Sequence, residues 1–414
     1  MLTVSTGAFG APVTVIHTFT GGAADGRYPR SLLLDGSVLY GSSAEGGINN
    51  AGAVYRINTD GSGFGLLHAF TNYQIDGQQP WGNLAISGTT LYGTTSGFGG
   101  SVYKVDTNGS NFARLHAFAF PGGNPSEPRT PEAGLVVAGN TLYGTTAFGG
   151  ANNIASSAVG GTVFSLATNG SSYTPIHEFP GNATEGNTLH GIEMLLDGQT
   201  LYGMTTYGGA ASPGAGTVFR VNIDGSGYST LHSFDGIANF NPADGADPWN
   251  TGLKLVGNRL YGVTLLGGYT PQYGMFNNGA LFAINTDGSG FEVLHSFGGG
   301  TDGVQPSGSM AIVGTTLYGT TRQGGAHNLG TIYKINLDGT GYVKLHDFAG
   351  GPNDGAFPWQ GGLVVDGNTL YGTTLNGGTY DLGVVYTLTI PEPVAITIVT
   401  PLGVLWLIRR NNRP

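Results

Sequence analysis

An all-β ring of seven four-stranded antiparallel blades, a seven-bladed β-propeller with kelch-like blades, is the fold this sequence predicts. Three observations predict it. A tyrosine in the motif "LYGTT" or a near copy recurs at Tyr40, Tyr92, Tyr143, Tyr202, Tyr261, Tyr318 and Tyr371, 51 to 59 residues apart in a chain of 414. Each copy resolves into four short runs rich in β-branched and aromatic residues and bounded by turn residues, the strand count and period of a propeller blade. The repeats are also out of phase with the chain. It starts on an unaccompanied fourth run, "VTVIHTF" (Val13–Phe19), and its last repeat stops at the third run, at Ile390. The first run then completes the seventh blade as its outermost strand, which leaves no open edge at the seam.

The elements follow in order. In the seventh copy, run A is "LVVD" (Leu363–Asp366), run B is "TLYGTT" (Thr369–Thr374) and run C is "VVYTLTI" (Val384–Ile390). Run C opens on Gly-x-(Val/Leu/Ile)-(Tyr/Phe) at Gly52, Gly161, Gly216, Gly279, Gly330 and Gly383, and the second copy is "SVYKV" from Ser101. Run D is "LHxF" or a variant, its histidine at His17, His68, His116, His177, His232, His295 and His346. A and B are joined by a glycine-centred turn such as "DGN" (Asp366–Asn368), and C and D by "NTDGSG" (Asn58–Gly63) or a relative. Gly, Asn and Asp accept the positive φ of such hairpins at little cost. The D–A connections and two B–C loops (147–160 and 265–278) are longer. In an antiparallel blade they emerge together, so one face of the ring is elaborated and the other minimal. Functional residues concentrate on loops held by a rigid scaffold.

Composition narrows the functional classes. Glycine contributes 76 residues with no collagen-like period, so the excess belongs to turns. Charged residues are only 10%, which leaves a surface of Ser, Thr, Asn, Gln and Gly, commoner in exported than in cytosolic proteins. The 15 Lys and Arg are scattered in a chain of net charge −10, so no basic stripe exists for nucleic acid. With no cysteine there are no disulfides, thiolate metal sites or cysteine nucleophile.

The glycine doublet after run B resembles the kelch-type repeat, and the displaced ends resemble the closure of WD-repeat propellers. The closer resemblance is to the "GloVer" tandem repeats of choice-of-anchor bacterial surface proteins, whose hallmarks match "GNTLYGTT", "GTIYKINLDG" and "LHDF" across 13–390. It implies architecture and no particular reaction. The last 24 residues differ in kind: Pro391-Glu392-Pro393, fifteen mostly apolar residues (394–408), then Arg409 and Arg410. Fifteen is short for a bilayer span of about 20. This tail (391–414) resembles a PEP-CTERM sorting signal, which implies a Gram-negative bacterium, an exosortase-type processing enzyme as partner, and transient membrane insertion through 394–408. An ordinary C-terminal anchor is the alternative, and both readings place the protein at the outer cell surface or in the extracellular matrix. Residues 1–12 contain "AFGA" (Ala8–Ala11), small residues of the kind found where export signals are cut, so the expectation is the remnant of such a signal begun upstream of Met1.

Candidate sites were weighed within this frame. The glycine doublets are not followed by a Walker lysine or a helix start, so they are turns and not phosphate cradles. The run D histidines lie too far apart around a ring to share a metal and read as packing. "N-x-D-G-S" (Asn285, Asp287, Ser289) spells part of a calcium loop but lacks the remaining acidic ligands, so hairpin chemistry explains it. No metal and no cofactor are expected.

"DGxxP" recurs in the D–A loops at Asp25, Asp76, Asp302 and Asp354, and at Asp244. The residue after its proline varies round the ring: Arg30, Trp81, Glu132, His190, Trp249, Ser307, Trp359. Trp81, Trp249 and Trp359 around a channel mouth suit the flat apolar faces of sugars. The reading favoured by the position's place in the repeat is that each caps its blade against a neighbour, with the proline fixing the loop. Glu132, His190 and Arg30 are weak catalytic candidates, since no nucleophile motif accompanies them. The expectation is a non-catalytic surface module that binds or scaffolds, with polysaccharide or surface proteins as partners. The alternative is a polysaccharide lyase or glycosidase working from the long-loop face.

Overall fold

A computed structural model describes residues 13–118, 127–150, 160–180, 185–210, 214–235, 244–268, 278–298 and 300–390. The expected sorting motif (Pro391, Glu392, Pro393, Arg409, Arg410), the apolar stretch 394–408 and the segment 1–12 lie outside the described residues.

Seven four-stranded antiparallel sheets make a closed ring, each with its strands in the order A, B, C, D from the centre outwards. Blade 2 is typical: Ala85–Ser87, Thr90–Thr95, Ser101–Asp106 and Ala113–Ala117. In blade 7 the inner three strands are Val364–Asp366, Thr369–Thr374 and Val384–Thr389, and the outer strand is Thr14–Thr18 from the start of the chain. The register across this seam sets Thr14 opposite Thr387 and Thr18 opposite Val384. The predicted runs agree with these strands to within a residue or so. The A strands of blades 1 and 6 are longer than expected, Gly26–Asp35 and Val304–Val313, because their loop ends stay paired through a bulge. Among the described residues the only helical element is a single 3-10 turn at Gly97–Gly99.

The motif "LYGTT" is explained residue by residue in blade 2. Leu91 is fully buried and Tyr92 nearly so. Gly93 pairs with Tyr103 of strand C, and a Cβ there would lie 2.4 Å from the Tyr103 hydroxyl oxygen, so the ring crosses the sheet only over a glycine. Thr94 donates its hydroxyl to the Ala133 carbonyl of the next blade at 2.8 Å, and Thr95 shares a 2.8 Å hydroxyl bond with Ser101. The doublets that follow are turns, as expected. Gly267 and Gly268 both have φ +79, and a Cβ on Gly267 would meet Gly245 Cα at 2.5 Å.

The outer half of the ring is held by one repeated device. In run D the phenylalanine is fully buried at Phe19, Phe70, Phe179, Phe234, Phe297 and Phe348, each burial stabilising by about 2–3 kcal/mol. The histidine two residues earlier lies flat, at His17, His68, His177, His232 and His295, against an aromatic of the next blade's C–D turn, as His68 on Phe112 (3.6 Å between centroids) and His232 on Phe291 (3.7 Å). Its Nε2 reaches the acid of the loop that follows: His17–Asp25, His68–Asp76, His177–Glu185, His232–Asp244, His295–Asp302 and His346–Asp354, at 2.9–3.3 Å. That acid also accepts backbone N–H groups of its loop, as Asp76 does from Thr71 and Asn72. The "DGxxP" aspartates are therefore loop clamps.

Candidate functional site

Strand A carries each blade's loop residues to the centre, so the varying residue after the proline arrives at the mouth of the channel on the long-loop face. The ring residues join blade to blade. The Arg30 guanidinium stacks over the Trp81 ring at 4.0 Å and donates to the Gln360 side-chain oxygen at 2.5 Å, tying blade 1 to blades 2 and 7. Burial lowers the Arg30 pKa to about 10, against the pull of Glu45 and Glu132. Glu132 Oε2 stands 2.8 Å from His190 Nδ1, joining blades 3 and 4. The His190 ring lies 5.2 Å from Trp249 of blade 5. Arg322, at the end of strand B in blade 6, stacks over Trp359 of blade 7 at 3.8 Å. Ser307 is buried and reaches the Pro358 carbonyl at 3.5 Å.

One pattern covers all three tryptophans. Each has a cation or imidazole of the preceding blade against it, and each keeps part of its surface accessible. Each tryptophan thus packs against the preceding blade, as the capping alternative expects, and is only partly covered by it. The Trp81 and Trp359 indole N–H groups are buried without a protein acceptor.

Two groups that sequence reasoning passed over complete the site. Asp247, two residues before Trp249, has φ +54 and a carboxyl pushed up to about 6 by burial, with His190 pulling the other way. Tyr207, whose ring lies 6.4 Å from that of His190, is raised by burial and by Asp247. The signal was available: in blade 5 the "DGxxP" reads "DGADP" (Asp244–Pro248), with an acid beside the proline where the other copies carry Tyr28, Gln79, Gln305 and Phe357. With Glu132 on Nδ1, the neutral His190 ring can hold its proton there and offer Nε2 as a hydrogen-bond acceptor or base. The structure brings Glu132 and His190 into contact, while Arg30 feels the Glu132 charge but bonds to Gln360 and stacks on Trp81.

The mouth is shallow. Beneath it Glu193 of blade 4 accepts hydrogen bonds from Asn83 of blade 2 and Ser309 of blade 6, spanning the channel. Neighbouring A strands also bond directly, Asn250 N to the His190 carbonyl at 3.0 Å, Gly308 N to Asn250 at 2.9 Å and Leu363 N to Ser309 at 2.8 Å. The space above this neck is about 10 Å³. Among the described residues no group of three or more His, Asp or Glu is placed to hold a metal ion. In the "N-x-D-G-S" turn, Asp287 accepts from the Ser289 N–H and hydroxyl at 2.9 and 2.6 Å, which is hairpin chemistry.

Fold and site together define a closed seven-bladed propeller with a plugged channel and a non-repeating mouth. The chain matches the Gloeobacter/Verrucomicrobia repeat over residues 2–153, 96–268 and 236–401, and it belongs to that family. No curated protein sequence matches it. Among solved structures, an oligogalacturonate lyase in complex with manganese is similar with a TM-score of 0.60 at 14% identity, over 93% of this chain and 94% of that one. An oligogalacturonate lyase from Vibrio parahaemolyticus is similar with a TM-score of 0.57 at 12% identity, over 92% of each chain. At these identities the likeness is one of fold.

Proposed function

We propose that the long-loop face is a carbohydrate-binding surface and that the protein is an exported module acting at the cell surface or in the extracellular matrix. The observation that carries this reading is the mouth: three part-exposed tryptophans, each fixed from behind by a neighbouring blade, so that stacking on a sugar costs little further ordering. The polar residues around them supply hydrogen bonds for hydroxyl groups. On the same reading 391–414 is the sorting tail, an exosortase-type enzyme is the processing partner, and 394–408 enters the membrane transiently. The test is a glycan array with the full chain and with the Trp81→Ala/Trp249→Ala/Trp359→Ala variant. Glycan binding lost in the folded variant is expected, and binding that survives all three substitutions rejects the mouth.

A second reading, a propeller lyase or glycosidase, is favoured by one observation, the Glu132–His190 contact beside Asp247. The fold shared with oligogalacturonate lyases is compatible with it. Incubating the protein with oligouronides and following the appearance of unsaturated product separates the two: turnover abolished by His190→Ala supports the enzyme, and no turnover leaves the binding module.

A further inference from the structure

Below the neck the channel opens again as a cavity of about 230 Å³ lined from all seven blades, facing the tight-turn side of the ring. It shares the neck residues Asn83, Gly134 and Glu193 with the space above, and the reading that follows is independent of the function proposed at the mouth. Its wall is about half apolar, with Leu84, Leu135, Met194 and Leu363 supplying the aliphatic part.

Two charged residues break the repeat here. At the position opposite the motif tyrosine, strand A has Leu33, Ala85, Val136, Leu195, Ala311 and Val364 in six blades, and Lys254 in blade 5. Two residues nearer the neck the other blades place Ser, Asn or Gly, and blade 4 places Glu193. Both charges line the same cavity. Among the described residues neither forms an ion pair, with the other or with any third group. A lysine and a glutamate in a half-apolar channel each cost desolvation, which a ligand carrying the opposite charges would offset. The two strand positions differ in height by about 7 Å. A dry cavity of about 150 Å³ holds a benzene-sized molecule, so this one takes a little more.

We infer that the channel on the tight-turn face is a binding site for a small zwitterion with an apolar body, its ammonium toward Glu193 and its carboxylate toward Lys254. Amino acids whose two charges are separated by a short methylene chain have this chemistry. The neck fixes polarity: Asn83 and Ser309 donate to the Glu193 carboxylate and hold it across the floor, while Lys254 stands nearer the open end.

The test is calorimetric titration of the full chain with 4-aminobutyrate, 6-aminohexanoate, hexanoate and hexylamine. One of the amino acids should bind about tenfold or more tighter than either singly charged probe, the worth of one charged hydrogen bond. Lys254→Met should reduce that ligand to the affinity of hexylamine, and Glu193→Gln, which keeps an acceptor for Asn83 and Ser309, to that of hexanoate. Val364→Phe, which fills the cavity from blade 7, should abolish binding of all four. Equal affinities for the four probes, no binding at all, or affinities unchanged by Lys254→Met or by Val364→Phe would each overturn the proposal.

Discussion

The molecule uses a histidine–carboxylate contact in two regions, and they could hardly differ more. At the rim the contact is made within one run and its following loop, six times over; five of the six imidazoles stack on the next blade, and the aspartates also clamp backbone N–H groups. At the mouth it is made once, between blades, by Glu132 and His190, with Asp247 and Trp249 beside it. The rim teaches that a histidine repeated in register is serving the fold. The mouth teaches that the same pair, made once where the repeat is broken, is available for something else.

The contrast should be largest for truncation. Phe234→Ala, which empties a fully buried rim position, should cost about 4 kcal/mol in denaturant unfolding. Trp249→Ala at the mouth should cost less than half of that. Equal losses would mean that the mouth is core.

Next comes the clamp. Asp76→Ala strands the N–H groups of Thr71 and Asn72 and the His68 ring, at about 2–3 kcal/mol. Glu132→Ala should stay within about 1 kcal/mol while changing glycan binding. A reversal of that order would undo the division between rim and mouth.

Acid sharpens it further. Burial lowers the pKa of His68, His116 and His177, so the unfolded chain takes up their protons first and stability falls as pH drops below the ordinary histidine value near 6.5. Asp25 and Asp302, although burial opposes it, are held below the usual carboxylate value by hydrogen bonds from His17 and His295 and from loop N–H groups. Their contribution is present above about pH 4 and is lost as pH falls through the folded values. Thermal midpoints should therefore decline in two stages on acidification, and His116→Gln should flatten the first. A midpoint independent of pH between 7 and 5 would count against the rim account.

The smallest effect belongs to Asp247. Its carboxyl titrates near 6 in the fold, above its unfolded value, so its contribution is present at low pH and is lost as pH rises through about 6. Asn also tolerates the positive φ there. Asp247→Asn should raise the thermal midpoint slightly at pH 8 and leave it unchanged at pH 4; a gain at both would point to backbone and not charge.

Much of this was legible from spacing. The tyrosine period and the displaced "LHxF" gave blade number, strand order and seam, because a closed ring permits one arrangement of seven copies out of phase by a strand. The ring from Arg30 to Trp359 was legible because the repeat fails there. What spacing did not reveal was contact between neighbours in space. The loop aspartates were visible as a pattern, yet their partners are histidines 7 to 12 residues earlier, reached only when the chain doubles back. Phe64, Phe112 and Phe291 drew no attention beside their C–D turns, since only the ring sets a histidine of the preceding blade on each. Glu193 and Lys254 sat inside an apolar run and drew no attention, since nothing linear says that seven strand ends meet.

The seam has a consequence for how such a chain is made. The strand Thr14–Thr18 has no partner within its own neighbourhood and must wait for Val384–Thr389, the last strand of the ring to be synthesised. Through most of translation it is an orphan, and six blades can assemble around an unclosed gap. The slowest step of assembly is then a single long-range capture rather than seven local ones, and the ring's first strand is the last to find its place.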